Sequence, residues 1–156
     1  MILYVNACAR PNSRTDRLAR ALLQKLGPYE ELRLYDEPLR PMDAHRIALR
    51  DALLSQKDYG AEMFRYARQF AAAEQIVLSA PLWDLSFPAQ LKIYLENIFV
   101  TGIVTRYSEA GLPVGLCRAK KLYYVSTSGG PTTPASASTS FGPWPRRISA
   151  SPRRSL

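Results

Sequence analysis

Two periodicities alternate along the chain. Ile2 to Ala7 is a short apolar run of the kind shown by a parallel strand covered on both faces. After a loop from Cys8 to Ser13, with Pro11-Asn12 as its turn signal, Leu18, Ala19, Leu22, Leu23 and Leu26 recur at the spacing of one helix face. Gly27-Pro28 stops that helix. Glu31 to Tyr35 alternates weakly and predicts a second strand, and Pro38 to Asp43 predicts a loop. Ala44 to Leu54 and Glu62 to Ala73 have helical patterns, and Ile76 to Ser79 predicts a third strand. Pro88 to Val100 predicts a helix with proline in its first turn, where the missing N–H is harmless, and with Leu91, Tyr94, Leu95 and Ile98 on the buried face. Leu122 to Ser126 predicts a fourth strand, followed by Thr127-Ser128-Gly129-Gly130.

Strands alternating with helices predict an α/β fold, an open parallel sheet with helices on both faces and right-handed crossovers. In such sheets ligands bind beyond the carboxyl ends of the strands. The loops after strands one, three and four are therefore the candidate site. A sheet of this kind normally continues into a fifth strand and a final helix, and neither pattern is found, so the fold is expected to lack its last strand-helix unit. Residues 1–130 are read as the domain. Residues 131–156 contain five Pro, six Ser and four Arg without hydrophobic periodicity, and are expected to be a disordered tail. That tail is either a natural extension or the translation of a shifted reading frame; the abrupt end of the helical pattern favours the second.

Length and charge narrow the function. A chain of 156 residues holds one domain with a real core. The net charge of +8 suggests nucleic acid, but residues 1–130 carry 17 Lys+Arg against 13 Asp+Glu, and the remainder of the excess is Arg146, Arg147, Arg153 and Arg154. With no basic helix stripe, nucleic-acid binding is not expected. No apolar run is long enough for a membrane span, and Met1 to Asn6 does not resemble a signal peptide. Cys8 and Cys117 have no metal-ligand spacing, which excludes the usual metal motifs and points to a reducing, cytoplasmic setting. Cys8 is expected to be a small buried side chain, and His45 a surface residue of a helix.

Each loop carries chemistry together with a plainer alternative. Arg10, Ser13, Arg14 and Thr15 precede and begin the first helix; hydroxyls and free N–H groups at a helix N-terminus suit a phosphate, and arginine adds charge-assisted hydrogen bonds. The same residues also suit a helix cap flanked by solvated arginines. Pro81, Leu82, Trp83, Asp84 and Leu85 follow the third strand, where Trp83 is either a flat apolar wall for a ligand or ordinary core. Thr127, Ser128, Gly129 and Gly130 either bring backbone close to a ligand or make a simple turn. No G-x-G-x-x-G or Walker A pattern is present, which argues against a dinucleotide fold or a nucleoside triphosphatase. Taken together, a phosphate cradle, an aromatic wall and a polar glycine edge at one rim match the anatomy of FMN, which in flavodoxin-like sheets sits at the topological switch point.

The string Pro81-Leu82-Trp83-Asp84-Leu85-Ser86-Phe87-Pro88-Ala89-Gln90-Leu91-Lys92 fits P-x-[aromatic]-[Asn/Asp]-x-x-x-P-A-x-L-K. With Asn6 to Leu18, Gly102 to Tyr107, Gly111 to Gly115 and Lys120-Lys121, it resembles the FMN-dependent NADH-azoreductase and NAD(P)H:quinone oxidoreductase family over residues 1–130, but not in the tail. The resemblance implies a flavodoxin-like fold. It implies that Ser13 to Thr15, with Arg10 nearby, hold the FMN phosphate, that Leu82 to Leu85 line the ring and ribityl chain, and that Thr127 to Gly130 meet the ring's polar edge. Asp84 stands where the family commonly has Asn, and an acid there would disfavour a reduced, anionic flavin. Tyr107 is implied on the substrate side, and a homodimer with the site near the subunit interface is implied as the assembly.

The function expected is reduction of quinones or azo compounds by NADH or NADPH through bound FMN, with the flavin doing the chemistry and no side chain acting as catalytic acid or nucleophile. A flavin-binding electron carrier and a truncated, inactive family member are the alternatives.

Overall fold

The computed structural model describes residues 1–130, and the expectations for the tail and for a missing strand-helix unit fall on 131–156, outside the described residues. The main sheet has the order β2-β1-β3-β6, every pair parallel: β1 is Ile2–Asn6, β2 Tyr29–Arg33, β3 Gln75–Ser79 and β6 Lys121–Val125. The helices are α1 (Arg14–Leu26), α2 (Ala44–Ser55), α3 (Arg65–Ala72) and α4 (Ala89–Ile98). The expected parallel α/β architecture with helices on both faces is what the chain forms.

The period-two alternation of the strands sorts the core into two layers. Leu3, Val5, Ala7, Ile76, Leu78 and Ala80 pack with Ala67 and Phe70 of α3 and Leu91, Tyr94, Leu95 and Ile98 of α4. Ile2, Tyr4, Val77 and Val125 face the other way, onto Ala19 and Leu23 of α1. The chain moves outward from β1 to β2 and returns to β3 on the other side of β1. The gap between the carboxyl ends of β1 and β3 is therefore the switch point, flanked by loops that leave toward opposite faces.

The main departures from expectation each have a local reason. The second strand runs over Tyr29–Arg33 rather than Glu31 to Tyr35, because Tyr29 pairs with Ile2 and a turn closed by Asp36 N–H to Arg33 O ends the ladder. Leu32 and Leu34 are buried and produced the apolar signal, but Leu34 only donates to Asn6 O as the chain turns. The helix expected from Glu62 begins as a 3-10 turn, Glu62–Phe64, before α3. Pro88 is not in the first turn of α4 but precedes it in extended conformation, ψ 147°. A small antiparallel hairpin, β4 (Thr105–Tyr107) with β5 (Pro113–Gly115), was not foreseen; three-residue strands around Gly111 and Pro113 show no alternation to detect. Leu116 N–H to Val104 O closes the base of the hairpin, and Arg118 N–H to Ala71 O of α3 fixes the chain beyond it to the body.

Tyr94 lies fully buried between α3 and α4, against Tyr66 and Phe70, and its hydroxyl finds no hydrogen-bond partner among the described residues. An unpaired buried hydroxyl costs about 1–3 kcal/mol. Tyr94→Phe keeps the ring packing and removes that cost, so denaturant unfolding should show stability raised by about 1 kcal/mol; a loss of stability would mean that the hydroxyl is satisfied.

Candidate functional site

The first loop ends in a cap. Ser13 Oγ accepts weakly from Asp16 N–H at 3.5 Å, and Ser13 O takes the Arg17 N–H. The N–H groups of Arg14 and Thr15 come too early in α1 to have an acceptor within the helix. Asn12, in the turn signalled by Pro11-Asn12, has φ 59°, a left-handed conformation that asparagine tolerates well. Arg10 and Arg14 are exposed, and among the described residues no acid pairs with either. The cap reading and the phosphate reading thus coexist: Ser13 caps, while the first-turn N–H groups and two unpaired arginines remain available to an anion.

The first turn of α1 is fixed from below. Asp16 Oδ1 accepts from Tyr4 OH at 2.6 Å and from Asn6 Nδ2 at 3.0 Å; its Oδ2 takes Arg20 Nε at 3.0 Å. Arg20 and Asn6 also donate to Glu31 on β2, and Tyr4 shares a 2.9 Å bond with Ser79 Oγ on β3. Burial and the neighbouring Asp16 push the Tyr4 phenol well above its ordinary pKa, and the same carboxylate raises Arg20. Sequence reasoning missed Tyr4, Asn6 and Asp16. Ser13-x-x-Asp16 is a helix-start signature, but the two strand residues that bind Asp16 give no local sign of doing so.

The second loop is a tight reversal. Trp83 and Ser86 exchange backbone hydrogen bonds at 2.8 Å in each direction, and Asp84 and Leu85 between them have φ 48° and 64°. Two successive positive φ values are those of a type I′ turn, which favours Asn or Asp first and Gly second. Asp84 suits its position; Leu85 does not, and its side chain is 79% exposed. Trp83 is 38% exposed, so it is not ordinary core, while Pro81 and Leu82 are half-buried.

The third loop ties the others together. Thr127 Oγ1 lies 2.7 Å from Thr15 Oγ1, and Thr127 O accepts the Leu82 N–H at 3.0 Å. Loops separated by more than a hundred residues along the chain meet at this one threonine. Ser128 Oγ bonds to Gly130 O, and among the described residues a Cβ built on Gly129 or Gly130 would meet no atom within 4 Å.

The structure therefore brings Ser13, Arg14, Thr15, Leu82, Trp83 and Thr127 to Gly130 to one rim. Tyr107 sits on the hairpin, 65% exposed, and pairs with Pro113; among the described residues no hydrogen bond joins it to that rim. Cys8 is buried, its Sγ 3.6 Å from Ser79 Oγ, and His45 is exposed on α2. The hydroxyls, free N–H groups and arginines fit a phosphate; the half-exposed indole and the glycine edge fit a flat ring with polar substituents.

The left-handed Leu85 makes a local test. A non-glycine residue in that conformation loses about 1 kcal/mol. Leu85→Gly should raise the unfolding free energy by roughly half to all of that, measured by denaturant titration; an unchanged or lowered midpoint would show that the turn is unstrained.

Comparison with known proteins agrees with this anatomy. A family described as flavodoxin-like fold matches residues 1–146. An FMN-dependent NADH:quinone oxidoreductase of Clostridium acetobutylicum is 38% identical over 138 residues, covering 83% of this chain and 68% of the relative. One from Clostridium beijerinckii is 34% identical over 137 residues, covering 83% and 69%. Among solved structures, an azoreductase from Bacillus anthracis superposes with a TM-score of 0.74 at 27% identity, over 87% of this chain and 73% of that one.

Proposed function

The chain belongs to the flavodoxin-like family of FMN-dependent NADH:quinone oxidoreductases, and we propose that it reduces quinones, azo compounds or both with electrons from NADH or NADPH through bound FMN. The observation that carries this reading is the meeting of the three loops at Thr127, which supports a single ligand engaging all of them.

When bound, FMN would supply the two-electron chemistry that links the nicotinamide to the acceptor in a ping-pong reaction. The protein's part is to hold and orient. Ser13 and Thr15, with the first N–H groups of α1, bind the phosphate, and Arg10 and Arg14 neutralise it. Leu82, Trp83, Asp84 and Leu85 line the ring and ribityl chain. Thr127, Ser128, Gly129 and Gly130 supply hydrogen-bond partners to the ring's polar edge, and among the described residues a Cβ at either glycine would meet nothing within 4 Å. Pro81 stiffens the exit from β3. No side chain has to act as acid or nucleophile.

Tyr107 belongs on the acceptor side in this reading, and the assembly is a homodimer. Phe99, Tyr107, Leu112 and Leu116 are all exposed on or beside the hairpin, an apolar surface suited to a second copy. Among the described residues no helix is long and apolar enough to cross a membrane, and two free thiols suit the reducing cytoplasm.

Absorbance tests the function. Purified protein should be yellow, bleach on addition of NADH or NADPH, and recover with a quinone or azo dye; yellow protein that neither nicotinamide bleaches would make it an electron carrier instead, and colourless protein that takes up no FMN would make it an inactive member. Trp83→Ala should weaken FMN by roughly 1–3 kcal/mol through lost aromatic burial. Unchanged affinity by fluorescence titration would remove Trp83 from the site.

A further inference from the structure

We propose that the Thr15–Thr127 hydroxyl pair couples the phosphate cradle to the ring-edge loop, with Thr127 as a positioning residue; this rests on the FMN reading above. Thr15 is 1% exposed, on the first turn of α1, and its Oγ1 is 2.7 Å from Thr127 Oγ1. A threonine hydroxyl has one proton to donate and two lone pairs to accept with. Between two such groups either can donate, and without a further partner the direction is undetermined.

An anion at the helix N-terminus determines it. Phosphate oxygens accept, so Thr15 turns its proton to the phosphate and takes the proton of Thr127 on its own lone pair. The Thr127 proton is then committed, and its oxygen is left to the ring-edge side as an acceptor. It would favour the ring's imide N–H and disfavour the carbonyl oxygens beside it. Phosphate occupancy thereby selects how the polar edge of the ring is met.

The movement that accompanies this falls on Thr127 rather than on α1. Asp16, next to Thr15, is held by Tyr4, Asn6 and Arg20 at 2.6 to 3.0 Å. On the other side, Thr127 O accepts the Leu82 N–H, so a shift of Thr127 continues into the loop that carries Trp83. The path runs from phosphate through Thr15 and Thr127 to the aromatic wall, over contacts of 2.7 and 3.0 Å.

The test splits FMN into riboflavin and inorganic phosphate. In the wild-type chain, saturating inorganic phosphate should tighten riboflavin by about fivefold or more, the ordinary scale of site-to-site coupling. In Thr127→Val, nearly isosteric but without the hydroxyl, the effect should fall to within about twofold, and Thr127→Ser should restore it. Thr15→Val should abolish it in the same way, so that the coupling is readable even if one variant folds poorly. Full coupling in a folded Thr127→Val, or no coupling in a wild-type chain that binds FMN, would overturn this inference while leaving the FMN reading intact. A wild-type chain that binds neither FMN nor riboflavin would overturn both.

Discussion

A parallel sheet sends its crossings out at one edge, but nothing in the sheet itself brings the loops together there. In this chain Thr127 does. Its hydroxyl reaches the helix that begins the first crossing, and its carbonyl takes an N–H from the loop that follows β3. The carbonyl bond extends the ladder, since Ala80 N–H already donates to Val125 O just before it. The hydroxyl bond is different, because it crosses the switch point between β1 and β3. Everything read here as a ligand site depends on that crossing.

The two faces of the sheet serve the rim differently. The face under α3 and α4 is apolar, from Leu3 and Val5 through Leu78 to Leu91 and Ile98. The face under α1 is polar at the carboxyl end of the strands, where Tyr4, Asn6 and Ser79 gather around Asp16. Buried polar groups are tolerated only when paired, and these are paired. The network's use is geometric: a helix dipole cradles an anion only if the helix start stays still, and three donors on Asp16 hold it. The strained Asp84-Leu85 turn fits the same logic, a rigid reversal that sets Trp83 at the edge of the rim.

Much of this was legible before the structure. Strand cores such as Ile76 to Ser79 declare themselves by apolar content, and the α4 face of Leu91, Tyr94, Leu95 and Ile98 by spacing. The loops after three strands follow from topology, and the P-x-[aromatic]-[Asn/Asp] string marks the family that the comparisons found. What stayed hidden depends on contacts remote in sequence or on backbone detail. Tyr4 and Asn6 looked like strand filler because Asp16 reaches them only after folding. Leu32 and Leu34 shifted the expected second strand because burial and pairing part company where a strand turns away. The hairpin of Thr105–Tyr107 with Pro113–Gly115 is too short for periodicity to register. Thr15 and Thr127 were each marked by their own loop, but nothing in either stretch shows that they touch.

The central claim is that one ligand engages all three loops at once. Titrating isotopically labelled protein with FMN and following backbone amides by NMR measures this directly. The account predicts that the amides of Thr15, Trp83 and Gly129 shift together along a single binding curve. Shifts confined to one loop, or appearing at unrelated residues while these three stay in place, would contradict it.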